Sequence, residues 1–257
     1  MALCLLGRKE RGSDPSIPHL SAVLAGQQLS PPPASQDWTR GMPADLGKML
    51  NDQLNDCSCA AFYHAMQVWS FNTSTLQTEP DSNVQALYSA VSGYKRGDTL
   101  PGPTCSEQDV LAYLTKTGAP TGANGSGRNK IAAHFEIDFR NIDDVKRTIF
   151  ECGVAYIGIK VPAYIHTDPV PELWDVQTAN ADVIGAHAVI LAGYDADGAK
   201  FISGGKIYTM TWAFFSQYTD EAYAVVDPLW IGAKGTTPGG LAEEQLEQQM
   251  RAVKAAK

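Results

Sequence analysis

Helical patterns fill the first half of the chain, whereas strand patterns fill most of the second half. Apolar residues recur at helical spacing from Ala60 to Trp69, and Asp56 or Ser58 stands where that helix would be capped. Three further helices are predicted at Val84–Val91, Glu107–Thr117 and Ile142–Cys152. Runs of strand-forming residues between turn residues predict strands at Val154–Val161, Ala186–Tyr194, Lys200–Ser203 and Glu221–Val226. Helices first and an antiparallel sheet later are typical of an α+β fold, with a groove where the two halves meet.

The composition divides the chain into three regions. Residues 1–36 are rich in Pro, Ser, Gly and charge, and Pro31-Pro32-Pro33 favours polyproline II geometry, so we expect an extended N-terminal arm. A removable propeptide is the alternative to a permanent tether. Residues 37–232 are predicted to form the globular domain, and residues 233–257 a linker and a C-terminal helix. The arm or the C-terminal helix is where we expect an assembly partner to bind.

Charge and hydropathy exclude several classes of function. The 257 residues carry 20 Lys and Arg against 28 Asp and Glu, a net charge of −8, with no concentrated basic stretch. We therefore expect no binding to nucleic acid. The apolar run Ala188–Ala192 is far shorter than the ~20 residues that span a bilayer, so no membrane segment is expected. Ala2–Leu6 is followed at once by charged residues, unlike a secretory signal, and export by that route is not indicated.

Three short motifs lack the spacing that a cofactor or metal requires. The glycines between Gly118 and Lys130 are not followed by the Gly-Lys-Ser/Thr of a phosphate-binding loop, and the segment is interpreted as a plain loop. Asp195–Gly198 lies between two strands and is typical of a hairpin turn, not of a calcium loop. Cys57 and Cys59 with the nearby His64 leave a zinc site incomplete. We expect neither a cofactor nor a metal.

The pair Cys57 and Cys59 is the feature with the clearest chemical meaning. Both residues lie at the predicted start of a helix, whose partial positive charge favours a thiolate. His187 follows about 130 residues later at the start of a strand, in the order and range that thiol enzymes use for their base. The alternative is that the two cysteines only pack as small apolar residues.

Two segments of the sequence resemble the papain-like cysteine peptidases. Asn51–Phe62 is similar to their nucleophile segment, and Gly185–Tyr194 is similar to their histidine strand. Together with Thr211–Phe215 and Asp220–Ala224, these segments more closely resemble a branch of papain-fold proteins from bacterial and bacteriophage genomes. The resemblance covers roughly residues 37 to 230, and it implies a two-lobed fold with a helical lobe and an antiparallel β-sheet lobe.

The resemblance also implies roles for individual residues. In this family an amide residue six positions before the cysteine helps to form the oxyanion hole. Asn51 would take that role if Cys57 is the nucleophile, and Gln53 would take it if Cys59 is. The bacterial and bacteriophage branch favours Cys57, whereas the general family favours Cys59. A physical argument against Cys57 is the adjacent Asp56, whose carboxylate would oppose a thiolate.

The third member of the family's site is missing. The family places an Asn followed by Ser-Trp-Gly on the strand after the histidine, whereas this chain has Phe201–Gly205 there. The Ser203 hydroxyl is the side chain that could orient His187 instead. The first predicted function is a cysteine hydrolase acting on a peptide or protein substrate. The alternative is a catalytically impaired papain-fold binding or structural module, for example one in a phage particle or bacterial assembly. Because the start of the sequence is unlike a secretory signal, the expected location is the cytoplasm or a phage particle.

Overall fold

The computed structural model describes residues 4–12, 14, 16–26, 30–232, 235–240, 242, 244 and 248. Its helices are α1 (Leu20–Leu24), α2 (Cys57–Thr73), α3 (Asp81–Ser92), α4 (Glu107–Lys116), α5 (Ile142–Cys152), α6 (Trp212–Tyr218) and α7 (Pro228–Ile231). Its strands are β1 (Gln36–Asp37), β2 (Ala119–Thr121), β3 (Gly127–Asn129), β4 (Ala133–Glu136), β5 (Ala155–Pro162), β6 (Leu173–Trp174), β7 (Val183–Tyr194), β8 (Gly198–Ser203), β9 (Lys206–Thr211) and β10 (Thr219–Val226). No helix in this described part is long and apolar enough to cross a membrane.

One large sheet organises the second half of the chain. Its strand order is β4-β10-β5-β7-β8-β9-β6, and β1 pairs with β7 outside that order. The described pairings in this sheet are antiparallel, apart from the parallel contact between β6 and β9. The strand β7 pairs with β5, β8 and β1, and it carries His187 into the middle of the fold. The predicted α+β architecture is confirmed.

The two faces of β7 belong to two different hydrophobic cores. Ala188, Ile190 and Ala192 lie in a core with residues of α2, α3 and α4. Val189 and Leu191 lie in a second core with residues of α5 and α6. Because successive side chains of a strand point to opposite faces, this alternation buries β7 on both sides. The helical half and the sheet half therefore meet along β7, beside His187.

Two local predictions differ from the structure. The segment 119–130, predicted as a loop, contains the hairpin β2–β3, whose pairs include Ala119 with Asn129. Strands of three residues lack a periodic signal, which explains the error. Asp56 lies at the cap position of α2 but its side chain makes no capping hydrogen bond. The C-terminal helix predicted after residue 240 lies outside the described residues, apart from three isolated positions.

Candidate active site

The helix α2 begins at Cys57 and points its two cysteines in different directions. Both thiols are buried, with Cys57 1% and Cys59 0% exposed. Two positions along an α-helix differ by about 200° around its axis, so the two side chains leave opposite sides of the first turn. The Cys57 thiol lies against the backbone N–H of Ala188, the residue after His187. The Cys59 thiol lies instead against the side chain of Cys105.

Ser203 makes a hydrogen bond with the imidazole of His187. The Nε2 atom lies 3.0 Å from the Ser203 Oγ, and both residues are buried. The Nδ1 atom makes no hydrogen bond of ordinary geometry to any described residue. Burial, aided by the positive charge of Arg8, lowers the pKa of His187 to about 3. The imidazole is therefore neutral at pH 7, and its Nε2 is held by Ser203.

The structure brings Asn51 to the groove and leaves Gln53 in solvent. Met49 and Leu50 adopt left-handed φ values of 54° and 70°, a rare geometry that turns the chain just before Asn51. The Asn51 side chain is buried, and its Nδ2 donates long hydrogen bonds to the Leu5 carbonyl at 3.5 Å and to an Asp56 carboxyl oxygen at 3.3 Å. The Gln53 side chain is exposed.

Burial changes the charge expected at Asp56. Its side chain is 0% exposed, and its Oδ2 atom makes no hydrogen bond to a described residue. Burial raises the pKa of this carboxyl well above its usual range, although the Asn51 hydrogen bond opposes the rise. Because the neutral form is favoured, the carboxyl opposes a Cys57 thiolate less than a charged group would.

Burial also keeps the candidate nucleophile protonated in this arrangement. It raises the pKa of the Cys57 thiol, and the Ala188 N–H only partly offsets the rise. The charge of Glu107 raises this pKa further. The Cys57 thiol and the His187 imidazole are thus both neutral in this arrangement, which is a resting state because thiol chemistry requires the thiolate.

The N-terminal arm lies in the groove between the two halves, a placement that the sequence did not reveal. The Leu5 N–H donates to the Asn51 carbonyl at 2.8 Å, on the helical side. The Arg8 N–H donates to the Ala186 carbonyl at 3.3 Å, on the sheet side. The Leu5 carbonyl also lies near the His187 ring and favours its protonated form. The arm thus covers the site with its own peptide groups.

An open cavity of about 730 Å³ adjoins the arm. His187 and Ser203 form part of its wall, together with Trp174 and Tyr208 from the sheet side. Cys4 and Leu6 of the arm line the same cavity. This cavity is large enough to hold several side chains of a peptide next to the candidate site.

The described residues contain no group of three or more His, Cys, Asp or Glu side chains that could hold a metal ion. His64 lies on α2 with its Nδ1 2.8 Å from the Gln67 Oε1, and burial lowers the pKa of this histidine to about 4. These contacts make His64 a buried, hydrogen-bonded histidine of the helix.

Comparison with solved structures identifies the fold. No family model matches the chain, and no curated protein matches its sequence. Xylellain, a cysteine protease from Xylella fastidiosa, matches with a TM-score of 0.64 and 16% identity over 87% of this chain and 96% of that one. Procathepsin B S9 from Trypanosoma congolense matches with a TM-score of 0.58 and 11% identity over 87% and 86%. The Carica candamarcensis cysteine protease CMS1MS2 matches with a TM-score of 0.50 and 12% identity over 76% and 99%. The chain has the papain-like fold, and that prediction is confirmed; the bacterial and bacteriophage branch stays a prediction.

Proposed function

We propose that the chain is a cysteine hydrolase of peptide bonds, with Cys57 as nucleophile and His187 as general base and then general acid. One observation carries the proposal: the Leu5 carbonyl lies beside the Asn51 amide and the His187 ring, next to the strand that contacts the Cys57 thiol. A carbonyl between an amide donor and an imidazole has the surroundings that thiol attack requires. The chain's own peptide thus occupies the position that we assign to a substrate.

The residues divide the reaction between them. His187 Nδ1 takes the thiol proton while the Cys57 sulfur bonds to the carbonyl carbon, and the Asn51 amide donates to the oxygen as it becomes negative. The intermediate collapses, the C–N bond breaks, and His187 gives its proton to the leaving amine. Water then attacks the thioester, His187 accepts a water proton, and that proton returns to the sulfur as the acid leaves. Ser203 acts as a positioning residue on Nε2.

Cys57 is preferred to Cys59 because of the direction of the two side chains. The Cys57 thiol lies beside the residue that follows His187, whereas the Cys59 thiol lies beside Cys105. Asn51, six residues before Cys57, is the amide in the groove, and Gln53 is exposed. The two independent observations favour the same register.

A second function is favoured by the closed groove. A buried neutral thiol covered by the chain's own arm also suits a binding or structural module without turnover. The two functions differ in what happens once the arm leaves the groove: a hydrolase gains a reactive thiol and cleaves peptides, whereas a module gains neither.

Gly7 offers a way to open the groove in the full-length chain. A Cβ at this position would lie 2.5 Å from the Asn55 Cα, so Gly7→Val is expected to expel the arm. Gly12 is the matched control in the same arm, since a Cβ there would meet only the Gln108 Oε1 at 3.8 Å. Neither glycine has a left-handed φ, so the two substitutions differ in the space available and not in backbone strain.

The test measures alkylation of each cysteine by iodoacetamide, followed by peptide mapping. In the Gly7→Val protein we expect Cys57 to react at least about tenfold faster than in the wild type, because opening exposes the thiol beside its base. Cys59 is the internal reference, and Gly12→Val should behave as the wild type. Adding His187→Ala to the open variant should remove the gain.

Cleavage is tested with the same opened protein and a mixed peptide library read by mass spectrometry. Fast Cys57 labelling together with cleavage supports the hydrolase. Fast labelling without cleavage favours the binding module. Equal and slow labelling of Cys57 and Cys59 in the opened protein contradicts the assignment of Cys57 as nucleophile.

A further inference from the structure

Arg8 places a fully buried cation beside the candidate active site. Its side chain is 0% exposed and forms ion pairs with carboxyl groups from both halves of the fold. Asp220 accepts from the Nη2 atom through both carboxyl oxygens, at 2.7 and 2.5 Å. Glu221 accepts from the Nη1 atom. Glu107, the first residue of α4, lies 3.8 Å from the Nε atom.

The three carboxyl groups form what we call the acidic pocket, defined by Glu107, Asp220 and Glu221. Two of them, Glu107 and Glu221, are 0% exposed, whereas the Asp220 side chain is 24% exposed. The Tyr223 hydroxyl donates to Glu221 at 2.7 Å and fixes that carboxyl in place. Burial raises the pKa of both glutamates, the charge of Glu221 raises the pKa of Glu107 further, and the charge of Arg8 opposes the rise in both. The pocket is therefore built around a positive charge, because buried carboxylates without one are costly.

The pocket also has the shape of a guanidinium. A Cβ at position 158 would lie 2.6 Å from the Arg8 Nη1 and 2.8 Å from its Cζ, so the planar group fits because Gly158 has no side chain. The guanidinium presents several fixed donors: its Nη2 donates to both Asp220 oxygens, and its Nη1 donates to Glu221. A lysine ammonium lacks this planar arrangement and would satisfy fewer of the acceptors.

The position of the pocket connects it with the peptide groove. The Arg8 N–H bonds to the carbonyl of Ala186, the residue before His187, and the Lys9 N–H bonds to the carbonyl of Cys105, which precedes the N-cap residue of α4. The backbone at Arg8 is thus held from both sides, as a bound peptide would be. The side chain of Glu107 is near enough to Cys57 to raise its pKa.

We propose that the acidic pocket is a subsite for an arginine side chain of a bound peptide, and that Arg8 fills it in the closed chain. The inference rests on the proposed function and gives its substrate class: peptides that carry arginine at the position of Arg8. A peptide that displaces the arm without supplying a guanidinium leaves Glu107 and Glu221 buried without their counter-ion. Arginine peptides are therefore preferred over uncharged peptides of the same shape.

Binding is tested without turnover, in the full-length Gly7→Val, Cys57→Ala protein. The probe is a fluorescein-labelled hexapeptide with the arm's own sequence, Leu-Leu-Gly-Arg-Lys-Glu, measured by fluorescence anisotropy. Two matched peptides replace its arginine with citrulline, which has the same shape without the charge, or with lysine. We expect the citrulline peptide to bind at least about tenfold more weakly, and the lysine peptide to bind with intermediate affinity.

Variants of the pocket assign the effect to these residues. Asp220→Asn, at the partly exposed edge, should weaken the arginine peptide severalfold and leave the citrulline peptide less affected. Glu221→Gln is the second variant, with folding checked by circular dichroism. Asp182→Asn is the matched control, because Asp182 is exposed and does not belong to the pocket. Equal binding of the arginine and citrulline peptides, or no binding of either, overturns the inference. Because this assay needs no reactive thiol, its outcome does not depend on whether the protein hydrolyses peptides.

Discussion

At the scale of single residues, Ser203 decides how well the candidate site can work. The Ser203 hydroxyl bonds to the His187 Nε2 at 3.0 Å, in a segment, Phe201–Gly205, that lacks the asparagine of the family the sequence resembles. A hydroxyl holds an imidazole through one atom that rotates freely, whereas an amide is planar. The sequence could indicate Ser203 because it lies on the strand after the histidine. It could not show whether the hydroxyl reaches the ring, since that depends on the pairing of β7 with β8.

The first prediction concerns this hydrogen bond. In the opened Gly7→Val protein, Ser203→Ala should slow alkylation of Cys57 by roughly tenfold or more, because the ring loses the partner that fixes its orientation. Ser203→Thr keeps a hydroxyl and should recover most of the rate. The measurement is the pH profile of the iodoacetamide labelling rate. The part of the profile assigned to the titration of His187 should move to a different pH in the alanine variant. An unchanged profile in Ser203→Ala would show that the hydroxyl does not position the base.

The second prediction concerns His64, which is buried with its Nε2 unbonded to any described residue. Its pKa is lowered to about 4 in the fold, so the unfolded chain binds a proton first as the pH falls. Stability is therefore lost between about pH 6.5 and pH 4, at up to roughly 1.4 kcal/mol per pH unit. His64→Gln keeps an amide near Gln67 and removes the titration.

Urea denaturation of both proteins across this pH range checks the expectation. Below about pH 6.5 the wild type should lose free energy of unfolding faster than His64→Gln does. Buried carboxyl groups titrate in both proteins and cancel in the difference. A difference between the two proteins that stays constant from pH 7 to pH 4 would contradict the assignment to His64.

At the scale of structural elements, the sequence predicts most of the helices and strands but not the place of the arm. The helix α4 begins after Ser106 with a complete capping box involving Asp109, a local signal that the sequence displays. The arm is different. Its contacts are backbone hydrogen bonds and ion pairs to distant residues, from Asn51, 46 positions away, to Glu221, 213 positions away. No periodic pattern within residues 1–36 indicates those partners. The sequence therefore predicts an extended arm but not where the arm lies.

The third prediction measures how strongly Arg8 fastens the arm. Arg8→Ala should lower the free energy of unfolding by about 3 kcal/mol, because it leaves two buried glutamates without their counter-ion. Lys9→Ala is the matched control, since Lys9 is the adjacent cation and is exposed, and should change stability by less than about 0.5 kcal/mol. Denaturant titration of the two variants provides the comparison. Equal and small effects would mean that the acidic pocket does not depend on Arg8.

At the scale of the whole molecule, the sequence predicts the α+β architecture because its helix and strand patterns are long and mutually consistent. β7 alternates between two cores over a continuous run of buried residues, and α2 is buried over nearly its whole length. These features place a helix against a sheet whatever the details of the loops. The site depends on finer geometry: the left-handed turn at Met49 and Leu50 that carries Asn51, and the direction of the first turn of α2. Neither is encoded in a periodic pattern.

The last prediction treats the arm as a unit that opens while the two halves stay folded. Leu5, Arg8 and Lys9 donate backbone hydrogen bonds across the groove, so their amide hydrogens should exchange slowly in the wild type and in Gly12→Val. In Gly7→Val these amides should exchange much faster, because local opening needs less free energy than global unfolding. Amides in the centre of the β5–β7 pairing, such as those near Ile157 and Val189, should keep their protection. Parallel acceleration of all these amides would mean that the arm and the sheet unfold as one unit, and the groove could not then open in a folded protein.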